Sequence, residues 1–283
     1  MKVGHSIGHM SGRPQEILRT TFEQVPELYE RARPSYPFEV FDDLVVLARL
    51  RVGSRIVEIG CGTGQATVPL AQRGYAITCV ELGEKLAAVA RRNVAGFPNV
   101  EVVNSNFETW QAEHSGFDAV VAFSAFHWIA PELRYSKAAE LLRERGKLVV
   151  VSMAHVLPRD GDPFFIEVQK DYGAVVPDDP NMKAGVAGPP QPDEVGDLSD
   201  KVLCGEIDAS GRFRNVGAKR YLWDVIYTAD EYIAVLNTFS AHRALDDDTR
   251  ARLHTRIHYR ILARPDRNVR TTYLAMLYVA ERV

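Results

Sequence analysis

The chain has 283 residues, 46% of them hydrophobic and 25% charged, with a formal net charge of −3. This is the balance of an ordinary soluble globular protein, long enough for one large domain or for a core with a sizeable insertion. It lacks the basic excess of a nucleic-acid binder, and no run of about eighteen apolar residues predicts a membrane-spanning helix.

Residues 1–13 contain Lys2 but no apolar core segment, so they read as a flexible leader and not as a secretory signal. A helix is expected over Pro14–Leu28. Pro34 and Pro37 then hold Tyr29–Pro37 partly extended, because proline excludes helix at and before its own position. A second helix, about Phe38 to Leu50, leads into a regular alternation. Strands are predicted at 55–59, 76–81, 100–104, 117–123 and 147–152, with helices at 65–73, 84–95 and 131–144. The strand cores, such as Ala119-Val120-Val121 and Leu148–Val151, are almost wholly apolar. Parallel strands covered by helices on both faces require that, so the alternation predicts an α/β, Rossmann-like doubly wound sheet.

The regularity stops after strand five. Residues 153–210 read as a cap or lid insertion, with a Pro/Gly-rich, periodicity-poor stretch from Val176 to Gly196. Strand character returns at Lys219–Thr228, followed by helices at about 230–239 and 247–264 and a last strand near Thr271–Ala280. The expected organisation is therefore a leader (1–13), a core with N-terminal helices (14–152), the cap (153–210) and a closing segment (211–283). Arginines between Arg250 and Arg270 alternate with Leu253, Ile257 and Ile261 at helical spacing, which reads as a solvated helix face. Asp246-Asp-Asp248 reads as the cap of that helix.

Three cysteines, Cys61, Cys79 and Cys204, form no C-x-x-C spacing. Neither a disulfide framework nor a zinc site is indicated, and a reducing, cytoplasmic setting fits. His254 and His258 share a helix face without an H-E-x-x-H glutamate, so no metal is expected there.

The most informative stretch is Arg55-Ile-Val-Glu-Ile-Gly-Cys-Gly-Thr-Gly-Gln65. A strand runs into a turn with Gly60, Gly62 and Gly64, which let a ligand approach the backbone. A dinucleotide fingerprint needs a third glycine where Gln65 stands. Glu58 would repel a phosphate; its carboxylate can orient the loop or face an ammonium. Glu81 ends the next strand, where it can take both hydroxyls of a ribose or cap the helix that follows.

This pattern resembles the first motif of the class I S-adenosylmethionine (SAM)-dependent methyltransferases, E-x-G-x-G-x-G. Further likeness lies in Tyr29 with Arg33-Pro-Ser-Tyr-Pro37, Phe117-Asp118, Ala125-Phe-His-Trp128, and Tyr232 with Thr238-Phe-Ser240. Together these resemble the type 11 methyltransferase domain and its trans-aconitate methyltransferase-like, small-molecule branch. The resemblance implies a seven-stranded sheet of order 3-2-1-4-5-7-6 with strand 7 antiparallel and a helical cap. It implies SAM as cofactor, S-adenosylhomocysteine as product, and a small-molecule acceptor such as an organic acid or natural product.

Residue by residue, it implies that Glu58, Gly60, Cys61, Gly62 and Gly64 form the cofactor loop, with Glu81 on the ribose and Leu82 on the adenine. Asn106 with Phe107 stands where family members carry an acidic residue for the adenine amine; Asn106 also reads as a plain turn residue. Phe123 and Ser124 approach the methionine end. Tyr29 and Arg33 either gate the cofactor carboxylate or only shape the proline turn. His127 is the candidate base, or else packs with Trp128 under the next helix. Trp128, His155 and Phe239 are candidate acceptor contacts. The competing reading is a catalytically silent ligand-binding or scaffold protein of the same fold. No nucleic-acid or membrane partner is expected, and either a monomer or a homodimer is compatible.

Overall fold

The computed structural model describes residues 25–177 and 189–283. The expected leader, most of the expected first helix, and the centre of the Pro/Gly-rich stretch lie outside those residues.

The elements, in chain order, are α1 (Pro26–Ala32), α2 (Phe38–Ala48), β1 (Arg55–Ile59), α3 (Thr67–Gln72), β2 (Ala76–Glu81), α4 (Glu84–Asn93), β3 (Val100–Asn104) and β4 (Phe117–Phe123). They continue with a 3-10 turn (Phe126–Trp128), α5 (Pro131–Leu141), β5 (Leu142–Val156), α6 (Phe164–Glu167), α7 (Gln169–Val175), α8 (Pro192–Ala209) and β6 (Phe213–Thr228). The chain closes with α9 (Ala229–Leu236), α10 (Ser240–Arg243), α11 (Asp247–Leu262) and β7 (Asn268–Arg282).

The seven strands form one sheet of order β3-β2-β1-β4-β5-β7-β6, with β7 antiparallel, as the resemblance implies. β1 pairs in parallel with both β2 and β4, Ile56 standing beside Ile77 on one side and Ala119 on the other. The chain order reverses at β1, so β1 and β4 define the topological switch point where α/β sheets bind ligands.

The chain divides into two compact units. The core unit comprises Ser35–Met153, Gly196–Tyr221 and Ala275–Val283. Its apolar centre gathers Val57, Ile59, Val120, Phe126, Leu142, Leu148 and Ile207. Lys147 and Glu281, both buried, pair at 2.7 Å. In the same unit, Glu206 of α8 accepts from Arg134 at 2.7 Å and from Tyr135 at 2.9 Å.

The second unit comprises Met1–Pro34, Ala154–Val195 and Leu222–Leu274. Thr228 and Glu231 form a reciprocal capping box that starts α9. Asp246 caps α11 by accepting from the Thr249 N–H at 2.9 Å.

Several expectations are corrected. Tyr29–Ala32 is helical, since Pro26 occupies a first-turn position that proline tolerates. α5 stops at Leu141 and β5 begins at once: the six residues from Leu142 to Lys147 stand against the three from Phe117 to Ala119. The surplus is a bulge in which Arg145 has φ 58° next to Gly146. Good helix formers in Leu142–Glu144 are overridden there by strand pairing.

α8 fills the end of the supposed structureless stretch. Val195, Leu198, Val202 and Ile207 recur at helical spacing, and the interior Gly196 and Gly205 obscure it. The arginine face of α11 is not simply solvated. Asp171, almost fully buried, takes Arg256 at 3.0 Å and Arg260 at 2.5 Å, and Asp162 takes Arg264 at 2.9 Å. His254 is buried against His242 at 3.0 Å, while His258 turns to Asp230 at 2.8 Å, so the two histidines do not converge.

Candidate functional site

The glycine loop follows β1 directly. Gly60, Gly62 and Gly64 have φ of 62°, 59° and 95°, a left-handed run that other residues adopt at a cost. Close approach adds a second demand at Gly60: a Cβ there would lie 2.8 Å from the Ala125 Cβ. The loop is thus pressed against the chain leaving β4, its neighbour in the sheet. The Gly64 N–H donates to the Cys61 carbonyl at 2.9 Å, and the Gly64 carbonyl accepts from Val68, tying the loop to α3.

Glu58 and Glu81 have different surroundings. Glu58 is buried beneath the loop and accepts from the Thr67 hydroxyl at 2.7 Å. Burial pushes its carboxyl up to about 7, with Glu81 adding to the rise against the Thr67 and Cys79 hydrogen bonds. It therefore braces the loop from below, the first of the two roles the sequence leaves open for it. Cys61 and Cys79 pack into the same space; their mutual hydrogen bond, then burial, holds the Cys61 thiol well above its ordinary range.

Glu81 ends β2 with one carboxylate oxygen accepting from the Gly62 N–H and the other from the Gly83 N–H, each at 2.8 Å. Beside it, Leu82 is 37% exposed, which leaves an apolar surface facing outward. Asn104 donates to the carbonyls of Glu81 at 3.0 Å and Leu82 at 2.9 Å, fixing this segment.

The Asn106 side-chain oxygen accepts from the Glu108 N–H at 2.9 Å, which is the turn geometry the sequence left open for it. Phe107 is buried in the core beside Trp110. Phe123 is buried and stacks on Phe41 with centroids 5.5 Å apart. Ser124 follows in a left-handed conformation, φ 51°.

His127 and Trp128 lie on the 3-10 turn after β4, their rings 4.8 Å apart. The His127 side chain keeps contact with solvent. The protein mass packed behind it, and secondarily the Arg134 charge, lower its pKa to about 4, leaving the imidazole neutral at pH 7. All these residues belong to the core unit.

Tyr29, Arg33, His155 and Phe239 belong to the second unit. The Arg33 guanidinium lies over the rings of Tyr29, at 5.1 Å, and Phe239, at 4.5 Å, and donates to the Thr238 carbonyl at 2.9 Å. Its buried Nε has no hydrogen-bond partner among the described residues. His155 sits edge-on to Phe165 at 4.3 Å, and burial lowers its pKa to about 4. Phe164, Phe165 and Tyr172 are buried and form the unit's own core.

Sequence reading passed over Thr67, Asn104 and Tyr36. Thr67 stands nine positions after Glu58, a separation that signals nothing until the turn folds. Among the described residues, no group of three or more His, Cys, Asp and Glu side chains is arranged to hold a metal ion.

Residues 56–146 match the family model described as a methyltransferase domain. An uncharacterized methyltransferase of Mycobacterium tuberculosis is 31% identical over 147 residues, which cover 48% of this chain and 58% of that protein. The match therefore spans less than two thirds of that relative's length.

Among solved structures, a protein assigned as a type II methyltransferase from Anaeromyxobacter dehalogenans aligns with a TM-score of 0.60 at 22% identity. That alignment covers 87% of this chain and 97% of the other. A SAM-dependent methyltransferase from Thiobacillus denitrificans, in complex with S-adenosylhomocysteine, aligns with a TM-score of 0.50 at 14% identity, covering 92% and 97%. At these identities the two structures speak to the fold alone.

Proposed function

We propose that this chain is a class I SAM-dependent methyltransferase, a reading supported by the methyltransferase-domain match over residues 56–146, and that it moves a methyl group from SAM to a small-molecule acceptor by in-line displacement. The observation that carries the reading is the Glu81 carboxylate, locked by the Gly62 and Gly83 amides at the end of β2, beside the glycine loop. A cofactor with a ribose diol and an adenine fits that corner: Glu81 would hold the hydroxyls, exposed Leu82 would support the base, and the loop around Gly60 would receive the amino-acid part. When bound, SAM supplies an electrophilic methyl group, and the protein's task is to orient an acceptor against it.

Asn106, its side-chain oxygen already engaged by Glu108, supports adenine recognition mainly through the turn it forms. Tyr29 and Arg33 are proposed to meet a carboxylate, a role supported by the partnerless Arg33 Nε. His127 is neutral at pH 7 and can accept a proton, but a pKa near 4 makes it a weak base. It is better suited to positioning an acceptor together with Trp128. An acceptor carboxylate would need no base, which agrees with the organic-acid class. No helix among the described residues is long and apolar enough to cross a membrane, and a cytoplasmic setting is proposed.

Glu81→Gln tests the reading. It keeps the shape but offers only one acceptor oxygen, so S-adenosylhomocysteine affinity should fall at least about tenfold, in line with losing a charge-assisted hydrogen bond. Unchanged affinity would remove Glu81 from the site. The alternative is a catalytically silent scaffold of the same fold. It predicts SAM binding without methyl transfer to any member of a panel of acids, phenols and amines.

A further inference from the structure

Backbone strain and a contact between two hydroxyls coincide at the end of β4. Ser124 adopts φ 51° although it has a side chain, a conformation that persists only where the surroundings impose it. Two contacts impose it here. The Ser124 N–H donates to the Val151 carbonyl at 2.7 Å, and the Ser124 hydroxyl lies 2.8 Å from the Tyr36 hydroxyl.

The Tyr36 ring has little freedom to move that hydroxyl. It stands edge-on to Phe123 at 5.1 Å and to Phe41 at 6.5 Å, and Phe41 and Phe123 themselves stack. The residue after Ser124 is Ala125, whose methyl occupies the space that a side chain at Gly60 would need. The strained turn is therefore the wall of the glycine loop.

We infer that Tyr36 is a positioning residue for the amino-acid end of the cofactor. Its hydroxyl holds Ser124 in the left-handed turn, and that turn sets the Ser124–Ala125 wall against the loop around Gly60. The ligand class is the zwitterionic α-amino-acid portion of SAM, and the assignment rests on the cofactor reading proposed above.

The test is a double-mutant cycle of Tyr36→Phe and Ser124→Gly, titrated with S-adenosylhomocysteine and with 5′-methylthioadenosine, which lacks the amino-acid portion. Tyr36→Phe keeps the ring packing and removes one hydroxyl. It should weaken S-adenosylhomocysteine about five- to tenfold, the usual scale for one hydrogen bond, and leave methylthioadenosine within about twofold. Glycine takes the left-handed conformation without strain, so on the Ser124→Gly background Tyr36→Phe should change S-adenosylhomocysteine affinity by less than about twofold.

Equal weakening of both ligands, a Tyr36→Phe effect that persists on the glycine background, or no effect at all would overturn the inference while leaving the cofactor reading intact. A wild-type chain that bound neither ligand would overturn the cofactor reading itself, and this inference with it.

Discussion

Gly60→Ala puts the close packing of the loop to a quantitative test. The added Cβ would stand 2.8 Å from the Ala125 Cβ, roughly 1 Å inside the usual 3.5–4.0 Å carbon–carbon contact. Neither atom can rotate away, so the backbone of the loop or of residues 124–125 must shift. The left-handed φ of 62° adds a second cost, about 1–2 kcal/mol for a residue with a Cβ.

Gly53 supplies the control. It has φ 82°, but an added Cβ there meets open space, so Gly53→Ala carries the backbone term alone. We expect a loss of about 1–2 kcal/mol for Gly53→Ala and about 2–5 kcal/mol for Gly60→Ala, the excess being overpacking of about 1–3 kcal/mol. In a chain of this size each kcal/mol lowers Tm by about 2–4 °C, so scanning calorimetry should separate the two variants. Calorimetric titration should show S-adenosylhomocysteine binding lost by at least about tenfold in Gly60→Ala and kept in Gly53→Ala, since each 1.4 kcal/mol is a factor of ten. Equal Tm losses, or undiminished binding by Gly60→Ala, would refute the close-packing reasoning.

Two further predictions concern pH. The Glu58 carboxyl, raised to about 7 in the folded chain from an ordinary 4.5, binds its proton more tightly folded than unfolded. Its stability contribution is complete below pH 4.5 and is lost as pH rises through 7. Glu58→Gln, which can still accept from Thr67, should therefore raise Tm at pH 8 relative to wild type and match it near pH 4.5; an unchanged difference across that range would contradict the assignment.

The buried pair in the second unit has the opposite sign. Burial, then the neighbouring His254 and Arg250 charges, lower His242 to about 3, and burial with Arg250 lowers His254 to about 4. Stability from these neutral rings is complete above pH 6.5 and is lost as pH falls towards 4, where the unfolded chain takes up the protons. His242→Gln should flatten the acid limb of a Tm-against-pH profile, and a limb as steep as in wild type would count against it.

The core was legible because its signals are local and redundant. β1, β2, β3 and β4 fall where apolar runs end in turn residues, and the glycine spacing announced the loop before any contact was known. Glu81 was equally legible, since the end of the next strand puts it beside that loop. Features set by tertiary contact were not. Nothing near Glu58 in sequence reveals that Thr67 and Cys79 enclose it, so the choice between orienting the loop and facing a ligand stays open until the fold turns its carboxylate inward. The helix over Pro192–Ala209 hid behind two interior glycines and a proline-rich approach, although Val195, Val202 and Ile207 kept its period. Asp171 and Asp162 lie many residues from the arginines they neutralise, so α11 looked solvated. Tyr36 sat inside a motif already recognised, but its partner Ser124 is 88 residues away, and only pairing in the fold brings the two hydroxyls together.

The central claim, that the loop around Gly60 with Glu81 and Leu82 is a SAM site, is tested most directly by titrating the purified chain calorimetrically with SAM and S-adenosylhomocysteine, with NAD as control. The predicted result is binding of both adenosyl ligands with Kd values of about 1–100 μM, or roughly −8 to −5 kcal/mol, and no heat from NAD. Binding of NAD, or a demonstrably folded chain that binds no adenosyl ligand, would contradict it.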